Sequence, residues 1–200
     1  MAEKSQWTVI TEENPDHSAW YIRRFKDMEA EGRDLAGEAR LIDAMASRGS
    51  RMLDAGCGPG RVGARLSELG HDVVGVDVDA VLVEAAIAEH SGPRWLVADL
   101  AELDLPAAGI SEGFDVIVSA GNVMTFLAPS TRRDVLANLR RHLRADGRLV
   151  IGFGAGRDYE FDDFFADAEA AGLRVDLALS AWDVRPFDDS SDFLVAILAA

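Results

Sequence analysis

A single cysteine, Cys57, rules out an internal disulfide and any metal cage built from thiolates. Histidine is nearly as scarce. His17, His71, His90 and His142 never fall at the i, i+4 spacing that puts two imidazoles on one helix face, so no metal is expected. Basic residues are in deficit, with twenty Lys and Arg against thirty-five Asp and Glu, a formal net charge of −15. That charge repels phosphate backbones and anionic headgroups, and it argues against nucleic acid or a membrane as the partner. No run approaches the ~18 apolar residues of a membrane-spanning helix. The opening MAEKSQWTVITEENPD has no apolar signal core either. These absences point to a soluble, cytoplasmic protein, a monomer or homodimer. What is present is ordinary for a globular domain: 48% hydrophobic and 28% charged over 200 residues. A chain of this length buries roughly 70% of its unfolded surface around one sizeable core.

Five short, near-continuously apolar runs read as buried strands: Arg51–Ala55, Asp72–Asp77, Arg94–Val97, Phe114–Ser119 and Arg148–Phe153. Between them the period changes to 3.6. Val62, Leu66 and Leu69 share one helical face; Leu82, Ala85, Ala86 and Glu89 do so less cleanly, and Val135, Leu139 and His142 again. Gly70 and Asp146-Gly147 stand where the first and last of these helices should stop. Strict alternation of strand and helix means βαβ units, hence a doubly wound α/β fold with a parallel sheet covered on both faces. Farther on, Phe161, Phe164, Phe165 and Ala168 mark an amphipathic helix closed by Gly172. The runs Leu173–Val184 and Asp192–Leu198 flank a turn-rich stretch and suggest a hairpin, which sets an antiparallel strand at the sheet edge. Upstream, His17–Glu31 and Glu38–Arg48 read as helices. Trp20, Tyr21, Phe25 and Met28 repeat at helical spacing in the first, as core-packing residues do.

The chemistry concentrates at Leu53-Asp54-Ala55-Gly56-Cys57-Gly58-Pro59-Gly60, a strand running into a glycine loop and then a helix. Glycines let the backbone turn sharply and let a ligand approach main-chain N–H groups closely. Asp77 ends the second strand 19 residues after Gly58, where a carboxylate can accept from both hydroxyls of a ribose. Asp99 ends the third strand 22 residues further on, within reach of an adenine edge. The nicotinamide fingerprint G-x-G-x-x-G fails, because its third glycine falls on Arg61. Asp54, just before the loop, is also poorly placed for a cofactor with two phosphates. It suits one carrying an ammonium and a sulfonium.

LDAGCGPG, GVDVD and VADL, in this order and spacing, resemble the cofactor-binding motifs of the class I S-adenosylmethionine-dependent methyltransferases. The resemblance covers residues 38–200 and implies a Rossmann-like seven-stranded sheet, order 3-2-1-4-5-7-6, with strand 7 antiparallel. It implies that Gly56, Gly58 and Gly60, with Cys57 between them, pass under the methionine and ribose portions of the cofactor. By the same resemblance Asp54 faces the methionine amino group and Asp77 holds the ribose hydroxyls. Val78 packs on adenine, and Asp99 accepts from its N6 amino group with Leu100 beside it. Ser119-Ala120-Gly121-Asn122 line the methyl-transfer point. The Asn/Asp-Pro-Pro-aromatic motif of methyltransferases acting on adenine or glutamine nitrogens is missing, since Asn122-Val123-Met124-Thr125 stands there. Asn122 then serves a loop hydrogen bond, to cofactor or to its own backbone.

The sequence is therefore read as one domain, residues 1–200: a cofactor-binding core over 38–200 and an N-terminal extension over 1–37 with a lid helix. Its expected function is methyl transfer from S-adenosylmethionine to a small molecule. A non-catalytic S-adenosylmethionine-binding module is the alternative, and a nicotinamide-dependent oxidoreductase a more distant one. Tyr21 and Asn122 are the candidates for touching the reacting groups, with His17, Arg24 and Arg185 as further candidates for contacting an acceptor.

Overall fold

The computed structural model describes residues 3–200. Three helices come first: α1 (Gln6–Glu13), α2 (His17–Ala30) and α3 (Gly37–Met45). Strand and helix then alternate through β1 (Arg51–Ala55), α4 (Arg61–Glu68), β2 (Asp72–Asp77), α5 (Ala80–Glu89), β3 (Arg94–Val97) and β4 (Phe114–Ser119). The chain finishes with α6 (Val123–Phe126), α7 (Arg132–Arg141), β5 (Leu143–Gly154), α8 (Phe161–Ala170), β6 (Arg174–Leu179) and β7 (Phe193–Ala199). All seven strands form one sheet in the order β3-β2-β1-β4-β5-β7-β6. Strand β7 alone runs antiparallel, pairing so with both β5 and β6.

The first four strands match the sequence reading residue for residue; β1, β2 and β4 do so because a strand covered on both faces is apolar, whereas β3 lies at the sheet edge with Arg94 and Val97 exposed. Strand alternation then sorts the side chains. Leu53 and Ala55 join Leu136, Leu139 and Phe164 beneath α7 and α8. Met52 turns the other way, toward Ile42, Val62 and Leu66 of α3 and α4, and Asp54 shares its face. A third, smaller cluster places Trp95 against Cys57, Ala64, Val83 and Ala86. Gly75 on β2 makes room for it, since a Cβ there would lie 2.2 Å from the Trp95 ring.

Several boundaries depart from the sequence reading. Asp146-Gly147 is no helix stop. Helix α7 ends at Arg141 and β5 begins at Leu143, so the pair lies within the strand. Gly147 sits where the β4–β5 register shifts, and a Cβ there would be 2.7 Å from the Phe114 carbonyl oxygen. Close strand approach, not helix termination, requires that glycine. The hairpin of β6 and β7 is present with a shorter first strand, Arg174–Leu179. Helix α1 had no counterpart in the pattern, since Trp7 is its one buried residue. Trp20 is 47% exposed and leaves the core stripe. It lies against His17 and Arg24 instead.

Candidate active site

The carboxyl ends of β1, β2, β3 and β4 open on one side of the sheet, the place where open α/β sheets bind ligands. Leaving β1, the loop is pinned to its neighbour: Gly56 N–H and Cys57 N–H both donate to the Val76 carbonyl, at 2.8 and 3.0 Å. Gly58 has φ +53°, and the nearest atom to a Cβ there would be Tyr21 Cε1 at 3.7 Å. Its bare Cα faces open space. Gly60 starts α4 with φ +90°, and a Cβ there would meet His90 and Trp95 at 2.9 Å.

Asp77 closes β2 with both oxygens occupied on one side. Oδ2 accepts from Gly58 N–H at 2.8 Å and Oδ1 from Asp79 N–H at 2.9 Å. Burial pushes its carboxyl up to about 6, against the pull of these donors. Asp54 is 2% exposed, and its Oδ2 accepts from Gly63 N–H at 2.8 Å in the first turn of α4. Burial lifts it to about 7; the Gly63 N–H and the Arg61 charge oppose the rise. Asp99 ends the path from β3, its Oδ1 accepting from Ala101 N–H at 2.9 Å to cap the short turn Leu100–Glu102.

The glycine loop and the ends of β2 and β3 border a cleft whose empty space, open solvent included, is about 630 Å³. Gly56, Gly58, Asp77 and Asp99 line it with Val78, Leu100 and Ala120, all from the sequence-based set. A second chamber of about 360 Å³ adjoins it, bordered by Asp54, Cys57 and Arg61. Tyr21, Gly56, Gly58, Ala120 and Gly121 border both chambers. Among the described residues no Lys, Arg or His lines the larger cleft, so no cationic side chain of theirs there would meet a diphosphate. Apolar walls, two acids at strand ends and a third acid next door suit a purine nucleoside bearing a cationic amino acid.

A crystal structure of a TehB-like S-adenosylmethionine-dependent methyltransferase from Corynebacterium glutamicum superposes with a TM-score of 0.88. It is 52% identical, over 93% of this chain and 99% of that one. This chain belongs to the class I S-adenosylmethionine-dependent methyltransferases. A family model described as a methyltransferase domain matches residues 52–147. An uncharacterized methyltransferase of Mycobacterium tuberculosis is 40% identical over 82 residues, 40% of each chain. A probable S-adenosylmethionine-dependent methyltransferase TehB of Haemophilus influenzae is 31% identical over 131 residues, 66% of this chain and 43% of that one. The match thus spans less than half the length of these curated relatives.

The residues of this methyltransferase fit the family's cofactor: glycines at the loop, half-buried acids with no cationic side chain beside them in the larger cleft, and apolar walls between them. Gly60, Ser119 and Asn122 lie outside both chambers, as do the acceptor candidates His17, Arg24 and Arg185. Gly60 faces the Trp95 wall. Asn122 takes a left-handed backbone (φ +67°) and its Oδ1 accepts from Gly154 N–H at 2.8 Å, tying the post-β4 loop to β5. The bond reaches a neighbouring strand, not the residue's own backbone. His17 packs on Trp7 and Trp20, and Arg185 pairs with Asp183 at 2.9 Å far along the chain.

The sequence reading expects a lid helix within residues 1–37 but misses most of the residues that line the roof. Ser5 and Trp7 of the N-terminal segment line the cleft, as do Val123, Phe126 and Leu127 after β4. It also missed Arg61, whose guanidinium grips Glu38 in a two-point bridge (2.9 and 2.6 Å) and the Leu35 carbonyl while lying over the Phe25 ring. The one available signal for Trp7 was Ser5, which caps α1 by accepting from Thr8 N–H.

Proposed function

We propose that the protein transfers the methyl group of S-adenosylmethionine to a small-molecule acceptor, inside a cleft roofed by its own N-terminal helices. The observation that carries the acceptor class is this roof. Ser5, Trp7 and Tyr21 border the same cleft as Gly121, which favours an acceptor small enough to sit between these helices and the post-β4 loop. A chamber beside the post-β4 loop also favours turnover over passive cofactor binding.

In this reading Asp77 holds the ribose hydroxyls, Val78 and Leu100 flank the adenine and Asp99 accepts from its amino group. Asp54 faces the methionine ammonium. The loop Gly56–Gly60 passes beneath, with Ala120 and Gly121 across from it. When bound, the cofactor supplies a methyl group already activated on sulfonium, so the chain's task is to hold an acceptor in line. Orientation of that kind is worth roughly 7–11 kcal/mol of barrier. Tyr21 stands between Gly58 and Gly121, its hydroxyl 3.8 Å from where a Gly121 Cβ would be. Burial raises its pKa, so at neutral pH the phenol donates a hydrogen bond to an acceptor and does not act as base. Trp7, Phe126 and Val123 keep water from the reacting atoms.

Incubating the enzyme with methyl-labelled cofactor and fractionated cell extract tests the acceptor class. Label should enter the low-mass fraction. Label confined to protein or nucleic acid would refute it.

A further inference from the structure

Asp79 lines neither chamber, yet its carboxylate joins three elements. Oδ1 accepts from Val81 N–H at 2.9 Å and caps α5. Oδ2 accepts from Trp7 Nε1–H at 2.8 Å and from the Ser18 hydroxyl at 2.5 Å. Trp7 belongs to α1 and Ser18 to α2, and both are buried. The backbone N–H of Asp79 donates to Asp77 Oδ1, while Asp77 Oδ2 holds Gly58 N–H. A hydrogen-bonded path therefore runs from the glycine loop through Asp77 and Asp79 into both roof helices.

The other fastenings of the roof are of a different kind. Lys26 and Glu89 pair across α2 and α5 with both side chains in water, where such pairs contribute little. Arg61 secures the segment between α2 and α3 through Leu35 and the first turn of α3 through Glu38. Bonds to a carboxylate are the stronger sort, and those on Asp79 are shielded by the buried Trp7 and Ser18. Trp7 meets Tyr21 and Phe126 edge to face, at centroid distances of 5.1 and 5.4 Å. Fixing the indole thus fixes the wall that faces the acceptor.

We propose that Asp79 is a positioning residue, which sets Trp7, and through it Tyr21, in register with the cofactor site. The coupling to the cofactor rests on the reading that the cofactor occupies Asp77. Ligand at Asp77 and closure of the roof then reinforce each other, as linkage requires.

Hydrogen exchange of residues 5–31 in the full chain, with and without S-adenosylhomocysteine, tests this. Asp79→Asn keeps an oxygen for the α5 cap but turns an amide N–H toward the indole N–H. Trp7→Phe removes the donor together with part of the ring and spares the cap, so it serves even where Asp79→Asn folds poorly. Both should speed exchange of the roof at least five-fold in the free protein and abolish the added protection given by S-adenosylhomocysteine. A purely structural role would lower the melting temperature and leave that added protection intact. Lys26→Ala should change neither. Roof exchange unchanged in both Asp79→Asn and Trp7→Phe would overturn the role of Asp79. Wild-type protein that binds S-adenosylhomocysteine in a calorimeter without slowing roof exchange would overturn the coupling. Wild-type protein that does not bind it at all would overturn the cofactor reading instead, and the free-protein comparison would still decide the role of Asp79.

Discussion

Asp54 and Asp77 are carboxylates held where burial favours their protonated forms, which is costly to a fold without a ligand. Backbone N–H groups offset part of that cost, and in the proposed function a ligand bringing hydroxyls and an ammonium would supply the rest. Gly58 shows the same division between fold and ligand. Its left-handed backbone makes Gly58→Ala strained by about 1–2 kcal/mol, but the new Cβ meets nothing closer than Tyr21 at 3.7 Å. The melting temperature should fall by a few degrees, while binding of S-adenosylhomocysteine is lost. Retained binding would show that the loop does not pass under the ligand. Gly58, Asp77 and Asp99 were legible in the sequence because strand ends and a glycine turn fix them locally. Asn122 was not, because its partner Gly154 lies on another strand and only the sheet order brings the two together.

At the scale of elements, the sheet and helix α2 were legible and α1 was not. Buried strands carry their environment in their own composition, whereas α1 has one buried residue in eight and so no periodicity to read. Helix α2 did show a stripe, but Tyr21 and Phe25 cover the glycine loop rather than join a core, and Trp20 faces water. None of the three apolar clusters includes a buried residue before Ala39. Removing residues 1–33 also spares the grip of Arg61 on Leu35 and Glu38. The truncated protein should therefore melt cooperatively, bind S-adenosylhomocysteine more weakly and transfer no methyl group. Full activity, or failure to fold, would contradict the reading of α1 and α2 as a lid.

For the whole molecule, charge and burial act on stability in the same direction. Asp54 and Asp77 have folded-state values of about 7 and 6, above the ordinary 3.8. The folded protein therefore holds protons that the unfolded chain has released between those values. Their contribution favours the fold at low pH and fades as pH rises through 6 and 7. Asp34, Asp43, Asp115 and Asp188 are shifted downward, so they withdraw stability only on strong acidification. A formal charge of −15 at pH 7 adds self-repulsion. The cofactor-free protein should melt at a higher temperature at pH 5.5 than at pH 8, and Asp54→Asn should flatten that slope. A melting temperature that rises steadily to pH 8 would mean that the two acids are not buried as described.

The proposed function turns on one assignment, that the acid at the end of β2 holds a nucleoside. Titrating wild-type protein and Asp77→Ala with S-adenosylhomocysteine in a calorimeter measures that hold. Losing charge-assisted hydrogen bonds costs on the order of 1.5–3 kcal/mol, so one-site binding to the wild type should weaken ten-fold or more in the variant. Equal affinity in the two proteins, or no binding to the wild type, would contradict the assignment of this cleft to S-adenosylmethionine.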